Sequence, residues 1–129
     1  MSESTAVLDY HRLIEDADGV SRFVDGEIHF QLEAYSPPAP PIGVHRMPHA
    51  RGLAFIVLPA GAFEDWHPAP RRQFIFTLRG VVEVTSGSGE VRRLHPGSVI
   101  LVEDTDGNGH TTRVVGDEDH FGVAVPLEG

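Results

Sequence analysis

The chain has 129 residues and a mass of 14.1 kDa, enough for one domain with a single core and too little for a catalytic domain beside a separate binding one. Its formal net charge of −9, from 19 acidic against 10 basic residues, repels phosphate backbones and anionic membrane surfaces, so neither nucleic acid nor membrane is expected as a partner. Cysteine is absent and every basic residue is arginine, which removes disulfides, thiolate chemistry, Schiff-base lysines and phosphate-loop lysines; what remains is imidazole, carboxylate, amide, hydroxyl and guanidinium, with eight histidines.

Residues 1–25 carry a short amphipathic turn around Leu8 to Ile14 and read as an arm that packs on something else. The start, MSESTAVLDYHRLIEDADG, is acidic where a signal peptide is basic and then apolar, and no apolar run approaches the roughly 20 residues that span a bilayer, so the expected location is cytoplasmic. Glu27 to Tyr35 alternates apolar Ile28, Phe30, Leu32 and Ala34 with polar partners, the period-two pattern of a half-buried strand. Ser36-Pro37-Pro38-Ala39-Pro40-Pro41 offers almost no ladder donors and is expected to run as an extended strap across the body.

From Gly52 onward one grammar repeats: an apolar alternating run, a Gly or Pro stop, another run. Leu53–Leu58, Phe74–Leu78, Val81–Thr85, Val91–Leu94, Val99–Val102, His110–Val115 and Phe121–Val125 are such runs, with a hairpin turn at Ser86-Gly87-Ser88-Gly89 and a tight corner at His95-Pro96-Gly97. No helical period interrupts them, so the chain is expected to be all-β, a sandwich or barrel. The organisation expected is residues 1–51 as an N-terminal arm with one strand and the Pro-rich strap, packed on a barrel of residues 52–129, all within one structural domain.

The spacing inside this part resembles the cupin family, whose fold is a double-stranded β-helix or jelly-roll barrel. The first motif of that family runs glycine, five residues, His-x-His, three or four residues, Glu, six residues, glycine. Here Gly61, five residues, His67-Pro68-Ala69, three residues, Gln73, six residues and Gly80 keep the frame, with Ala69 in place of the second histidine and Gln73 in place of the glutamate. The second motif is matched by Gly97, Ser98 to Val102 and Glu103-Asp104-Thr105-Asp106-Gly107-Asn108-Gly109-His110, with Glu103 in place of proline and a short insertion before the histidine.

The resemblance implies that His67, Gln73 and His110 converge at one end of the barrel and hold one divalent metal ion (Zn, Mn, Fe or Ni), and it implies no organic cofactor. A metal-free barrel is the equal alternative, because one ligand position is lost and another is a neutral amide. In that geometry Gln73, Ile75 and Thr77 point inward, with Thr77 available to substrate, while Phe74 and Phe76 point outward and need cover from the arm or from a second copy; the family resemblance implies a homodimer. Whether the arm is exchanged between subunits stays open.

Glu103, at the end of a buried strand and near His110, is the candidate general acid or base, with His49 of the GVHRMPHARG segment as a second one. Arg72 and Arg113 are the candidate forks for a substrate carboxylate, against the simpler reading of surface ion pairs. His45 of the same GVHRMPHARG segment shares the reading of His49 as a substitute ligand or general acid/base, against the simpler one of solvated loop histidines; His29 faces either a polar surface or the cavity, and His95 and His120 receive no role. The function expected is a small-molecule, metal-dependent enzyme of isomerase, epimerase or lyase type acting on a small oxygen-rich organic acid or carbonyl compound; the alternatives are a non-catalytic binding or sensor module and an iron oxygenase that borrows a carboxylate from Glu64, Glu103 or Asp104.

Overall fold

The computed structural model describes residues 3–128 and contains no helix among them, so none is long and apolar enough to cross a membrane. Eleven strands follow in order: β1 Glu3–Glu15, β2 Ser21–Glu33, β3 Ile42–Val44, β4 Ala54–Leu58, β5 Phe63–His67, β6 Gln73–Arg79, β7 Val81–Thr85, β8 Val91–Leu94, β9 Val99–Val102, β10 His110–Val115 and β11 His120–Pro126. They form a seven-stranded sheet ordered β3-β2-β1-β9-β6-β11-β4 and a four-stranded sheet ordered β5-β10-β7-β8.

The two sheets face each other across a core to which both contribute. Leu13, Phe23, Ile100 and Val102 come from the larger sheet and Val82, Val84, Leu94 and Val114 from the smaller. The inward and outward parity along β6 follows the alternation of the sequence: Ile75 packs against this inner core, whereas Phe74 belongs to a second cluster on the outer face with Val99 and Leu101. That parity explains why β9 is buried along its whole length, since its four residues serve the two clusters by turns.

Two expectations for the N-terminal part are corrected. The segment from Leu8 to Ile14 is no short turn but part of β1, which pairs with β2 along most of its length and then with β9 in parallel, His11 against Ile100 and Leu13 against Val102. The Pro-rich stretch does not cross the body. It is an exposed turn, with a cis Pro37–Pro38 peptide, that returns the chain as β3 onto the edge of β2. Residues 1–51 thus supply three strands to the same sheet that carries β6 and β9, although the outermost positions 1–2 and 129 lie outside the described residues.

The arm also supplies cover for the outer phenylalanines. Tyr10 of β1 stands with its ring centre 5.7 Å from that of Phe74, and Phe76 lies 6.0 Å on the other side. Phe74 is 3 % exposed as a result, so the cover expected from the arm or a second copy comes, for this residue, from the arm.

Candidate functional site

Between the sheets lies a cavity of about 520 Å³, within the range of small-molecule sites. Its wall is mainly aliphatic, with Ile56 and Leu58 from β4, Ile75 from β6, Val82 and Val84 from β7 and Ile100 and Val102 from β9. Into this wall β5 places Glu64 and His67, β6 places Gln73 and Thr77, β10 places His110 and Thr112, and β11 places His120.

His67 and His110 meet because β5 and β10 are paired with these two residues directly opposite each other. Their ring centres are 4.6 Å apart. His110 donates Nδ1–H to Asp104 Oδ2 at 2.6 Å, both groups being almost wholly buried. A carboxylate accepts and cannot donate, so this bond places a proton on Nδ1 and makes Nε2 the nitrogen that carries the lone pair of the neutral ring. His67 is fixed in the same sense by a different partner, donating Nδ1–H to the carbonyl oxygen of Asp65 at 2.6 Å. Its Nε2 lies 4.0 Å from Glu64 Oε1.

The loop that carries Asp104 and His110 is held from outside by the N-terminal hairpin. Glu103 N–H donates to the carbonyl of Leu13 at 2.8 Å; the Glu15 carboxylate accepts from Asp106 N–H at 2.9 Å and Gly107 N–H at 2.6 Å; and Ser21 Oγ donates to the carbonyl of Gly109 at 2.7 Å. Gly109 has φ +79°, and a Cβ there would sit 1.8 Å from the carbonyl oxygen of His67, so no other residue fits between the two histidine-bearing strands.

The four remaining site expectations lie outside the cavity and are corrected here. Glu103 is spent as an ion pair, 2.9 Å from Arg12 Nε and 3.3 Å from Arg72 Nε, and its hydrogen bond is what raises the Arg12 pKa. Arg72 is held by that same contact. Arg113 points to solvent and pairs with Glu83 at 2.6 Å; together with Arg93, which contributes more, it holds the Glu83 carboxyl below its ordinary range. His49 is exposed on the surface, where its backbone carbonyl accepts from Glu128 N–H at 2.8 Å. The parity of the strand end accounts for Glu103: Val102 faces in, so its neighbour faces out and the next residue, Asp104, reaches the buried side.

Sequence reasoning missed His120 as a cavity residue. The available signal was parity within the last strand, where His120 shares its face with buried Gly122 and Ala124. Burial holds the His120 pKa below the ordinary imidazole value, with the Glu64 charge opposing that shift.

A family model described as a cupin domain matches residues 54–125. The chain belongs to the cupin family. This cupin is also similar in structure to a conserved protein of unknown function, SPY1581, from Streptococcus pyogenes, with 19 % identity over 100 % of this chain and 82 % of that one and a TM-score of 0.46. The cupin domain of Schizosaccharomyces pombe Cnp3 is similar at 15 % identity, covering 99 % and 86 % of the two chains, again with a TM-score of 0.46. No curated protein matches it.

A divalent metal ion in this cupin would be held by imidazole and amide donors. His67, Gln73 and His110 all line the cavity, and the two Nε2 lone pairs are free to ligate. Among the described residues, however, no three His, Asp or Glu side chains come together as ligands, and the third donor is the neutral amide of Gln73. Two imidazoles and an amide are three neutral donors, with the Glu64 carboxylate 4.0 Å from His67 Nε2, a weaker set than the histidines and glutamate of the family motif, and the proton transfer proposed for this cavity is routed through no metal.

Proposed function

We propose that the cavity binds a small, largely apolar carbonyl compound and that His110, oriented by Asp104, moves a proton on it in non-redox chemistry of the isomerase or epimerase type. The observation that carries this reading is the 2.6 Å bond between Asp104 and His110 in the wall of a largely apolar cavity. A carboxylate behind an imidazole keeps Nε2 available as a base and stabilises the positive charge that forms as it takes a proton.

In the proposed step Nε2 of His110 removes a proton from the carbon beside the carbonyl. The C–H electron pair moves to the carbonyl oxygen, which the amide N–H groups of Gln73 receive. Return of the proton to the other face of that carbon completes an epimerisation; where that carbon bears a hydroxyl, passage of the hydroxyl proton to the enolate oxygen and return of the abstracted proton to the former carbonyl carbon completes an isomerisation, with no net gain or loss of electrons in either case. His67, half-buried beside His110, exchanges the proton with solvent. The aliphatic wall favours a substrate with an apolar body over the oxygen-rich acid expected from sequence, and no arginine lines the cavity to fork a carboxylate.

The test is hydrogen–deuterium exchange at the α-carbons of cyclohexanone, acetophenone and phenylacetone in D₂O, followed by NMR. The wild-type protein is expected to accelerate exchange of at least one ketone, with His110→Ala and Asp104→Asn each losing about a hundredfold or more. Acceleration that is abolished by a chelator and restored by zinc or manganese overturns the metal-free form of the reading. A ketone that binds without accelerated exchange leaves instead a binding module, the second reading, which the predominance of aliphatic lining favours.

A further inference from the structure

The cavity has a second polar end that the chemistry at His67 and His110 does not use. Thr77 lies four residues beyond Gln73 on β6, roughly 13 Å along the strand at about 3.3 Å per residue. Its hydroxyl and the His120 ring both line the cavity and both are buried, Thr77 at 4 % and His120 at 3 % exposure.

Neither group is well bonded. Thr77 Oγ1 and His120 Nε2 are 3.4 Å apart, beyond the usual range for such a bond, and His120 Nδ1 is buried with no hydrogen-bond partner among the described residues. A buried imidazole ordinarily finds partners for its nitrogens, because leaving them unpaired forfeits the hydration lost on burial. The backbone on both sides is meanwhile fixed: Thr77 N–H donates to the carbonyl of Ser98 at 3.0 Å, Gly97 N–H donates to that of Thr77 at 3.0 Å, and Asp119, next to His120, accepts from Ala60 N–H at 2.8 Å. The pair is therefore held in place by its backbone and short of partners; Ile75 lines the cavity between Gln73 and Thr77 on β6, and Glu64 is the acidic group whose charge acts on His120.

We propose that Thr77 and His120 form a hydroxyl-binding subsite, so that the ligand of this cavity is an amphipathic molecule with its reacting carbonyl at the His67–His110 end and a hydroxyl group at the other. A hydroxyl both donates and accepts, and so can pair with Thr77 Oγ1 or with the unpartnered His120 Nδ1 whichever tautomer the imidazole adopts. Burial keeps this imidazole neutral, which suits an uncharged hydroxyl and disfavours a carboxylate or phosphate at that end. The inference rests on the proposed reading of the cavity as a small-molecule site.

The test compares 4-ethylphenol with its methyl ether, 4-ethylanisole, by ligand-detected NMR titration of the full chain. The phenol is expected to bind about tenfold more tightly, the worth of one good hydrogen bond. Thr77→Val and His120→Phe, each checked for an unchanged thermal melt, are expected to abolish that preference while the affinity for the ether stays as it was. Should one variant fail to fold, the other decides alone. Equal affinity of the two compounds for the wild type, or a preference that survives in the folded variants, overturns the subsite and leaves the cavity reading intact. Failure of both compounds, and of the ketones above, to bind at all overturns the cavity reading and the subsite with it.

Discussion

His110 and His120 are both buried in the wall of one cavity, yet they are held in opposite ways. The first gives its Nδ1–H to a carboxylate that is itself fully buried, on a loop tied to β1 and β2; the second has a long contact to one hydroxyl and nothing on its other nitrogen. A buried imidazole with a charged partner is coupled to that partner, so neither can be removed without stranding the other. A buried imidazole with no strong partner adds little to folding through its hydrogen bonds. The contrast separates a group the structure needs from a group that a ligand would use.

Removing the ring of His110 gives the largest expected effect. His110→Leu leaves the Asp104 carboxylate buried without a counterpart, and urea unfolding is expected to show a loss of about 3–5 kcal/mol. Gly109→Ala, which forces a methyl group into the His67 carbonyl, is expected to cost about 3 kcal/mol or more in the same measurement; a loss below 1 kcal/mol would mean that the two strands can separate cheaply. Glu15→Ala removes a carboxylate that accepts from two loop N–H groups and is expected to cost about 1–2 kcal/mol, with faster amide exchange at Asp106 and Gly107.

A pH series separates the histidines further. The folded-state pKa of His120 lies below its unfolded value of about 6.5 because burial disfavours the charged ring, and His11 is lowered too, by burial first and by Arg92 second. The neutral ring therefore contributes stability in full above pH 6.5. As pH falls below that value the unfolded chain takes up protons that the folded one refuses, and stability declines until the folded pKa is passed, by at most about 1.4 kcal/mol per pH unit for each ring. His120→Phe is expected to flatten that decline. The smallest effect is its cost near neutral pH, within about 1 kcal/mol of wild type, since an apolar group replaces one that lacks strong partners; a loss of 3 kcal/mol there would erase the distinction between the two histidines.

The barrel was legible because its signals are local. Alternation from Leu53 to Val125, the glycine stops and the frame from Gly61 to Gly80 mark each strand by its own residues, although of β4 to β11 only β7 and β8 are neighbours both in sequence and in a sheet. Gln73 and Thr77 were placed in the cavity by alternation along their strand, whereas His67 and His110 were placed there by the resemblance of their spacing to the cupin motifs. What escaped was carried by distant partners or by a single step of register. Glu103 and Asp104 differ by one residue, and alternation at the strand end sends the first to Arg12 and the second to His110. β5 was overlooked because Glu64, Asp65, Trp66 and His67 show no apolar rhythm, their face being set by pairing with β10. β1 looked like an appendage because nothing near it announces that its far end lies beside β9.

That parallel pairing of His11 to Leu13 with Ile100 to Val102 also governs how the molecule must be assembled. Nearly ninety residues of chain separate the partners, and the loop bearing Asp104 gains its anchors only when they meet. Closure of so long a loop is slow, since its entropy is surrendered before any contact repays it. The end of the cavity that carries His67 and His110 therefore takes its shape from contacts of long sequence separation, β1 against β9 and β5 against β10, rather than from local hairpins.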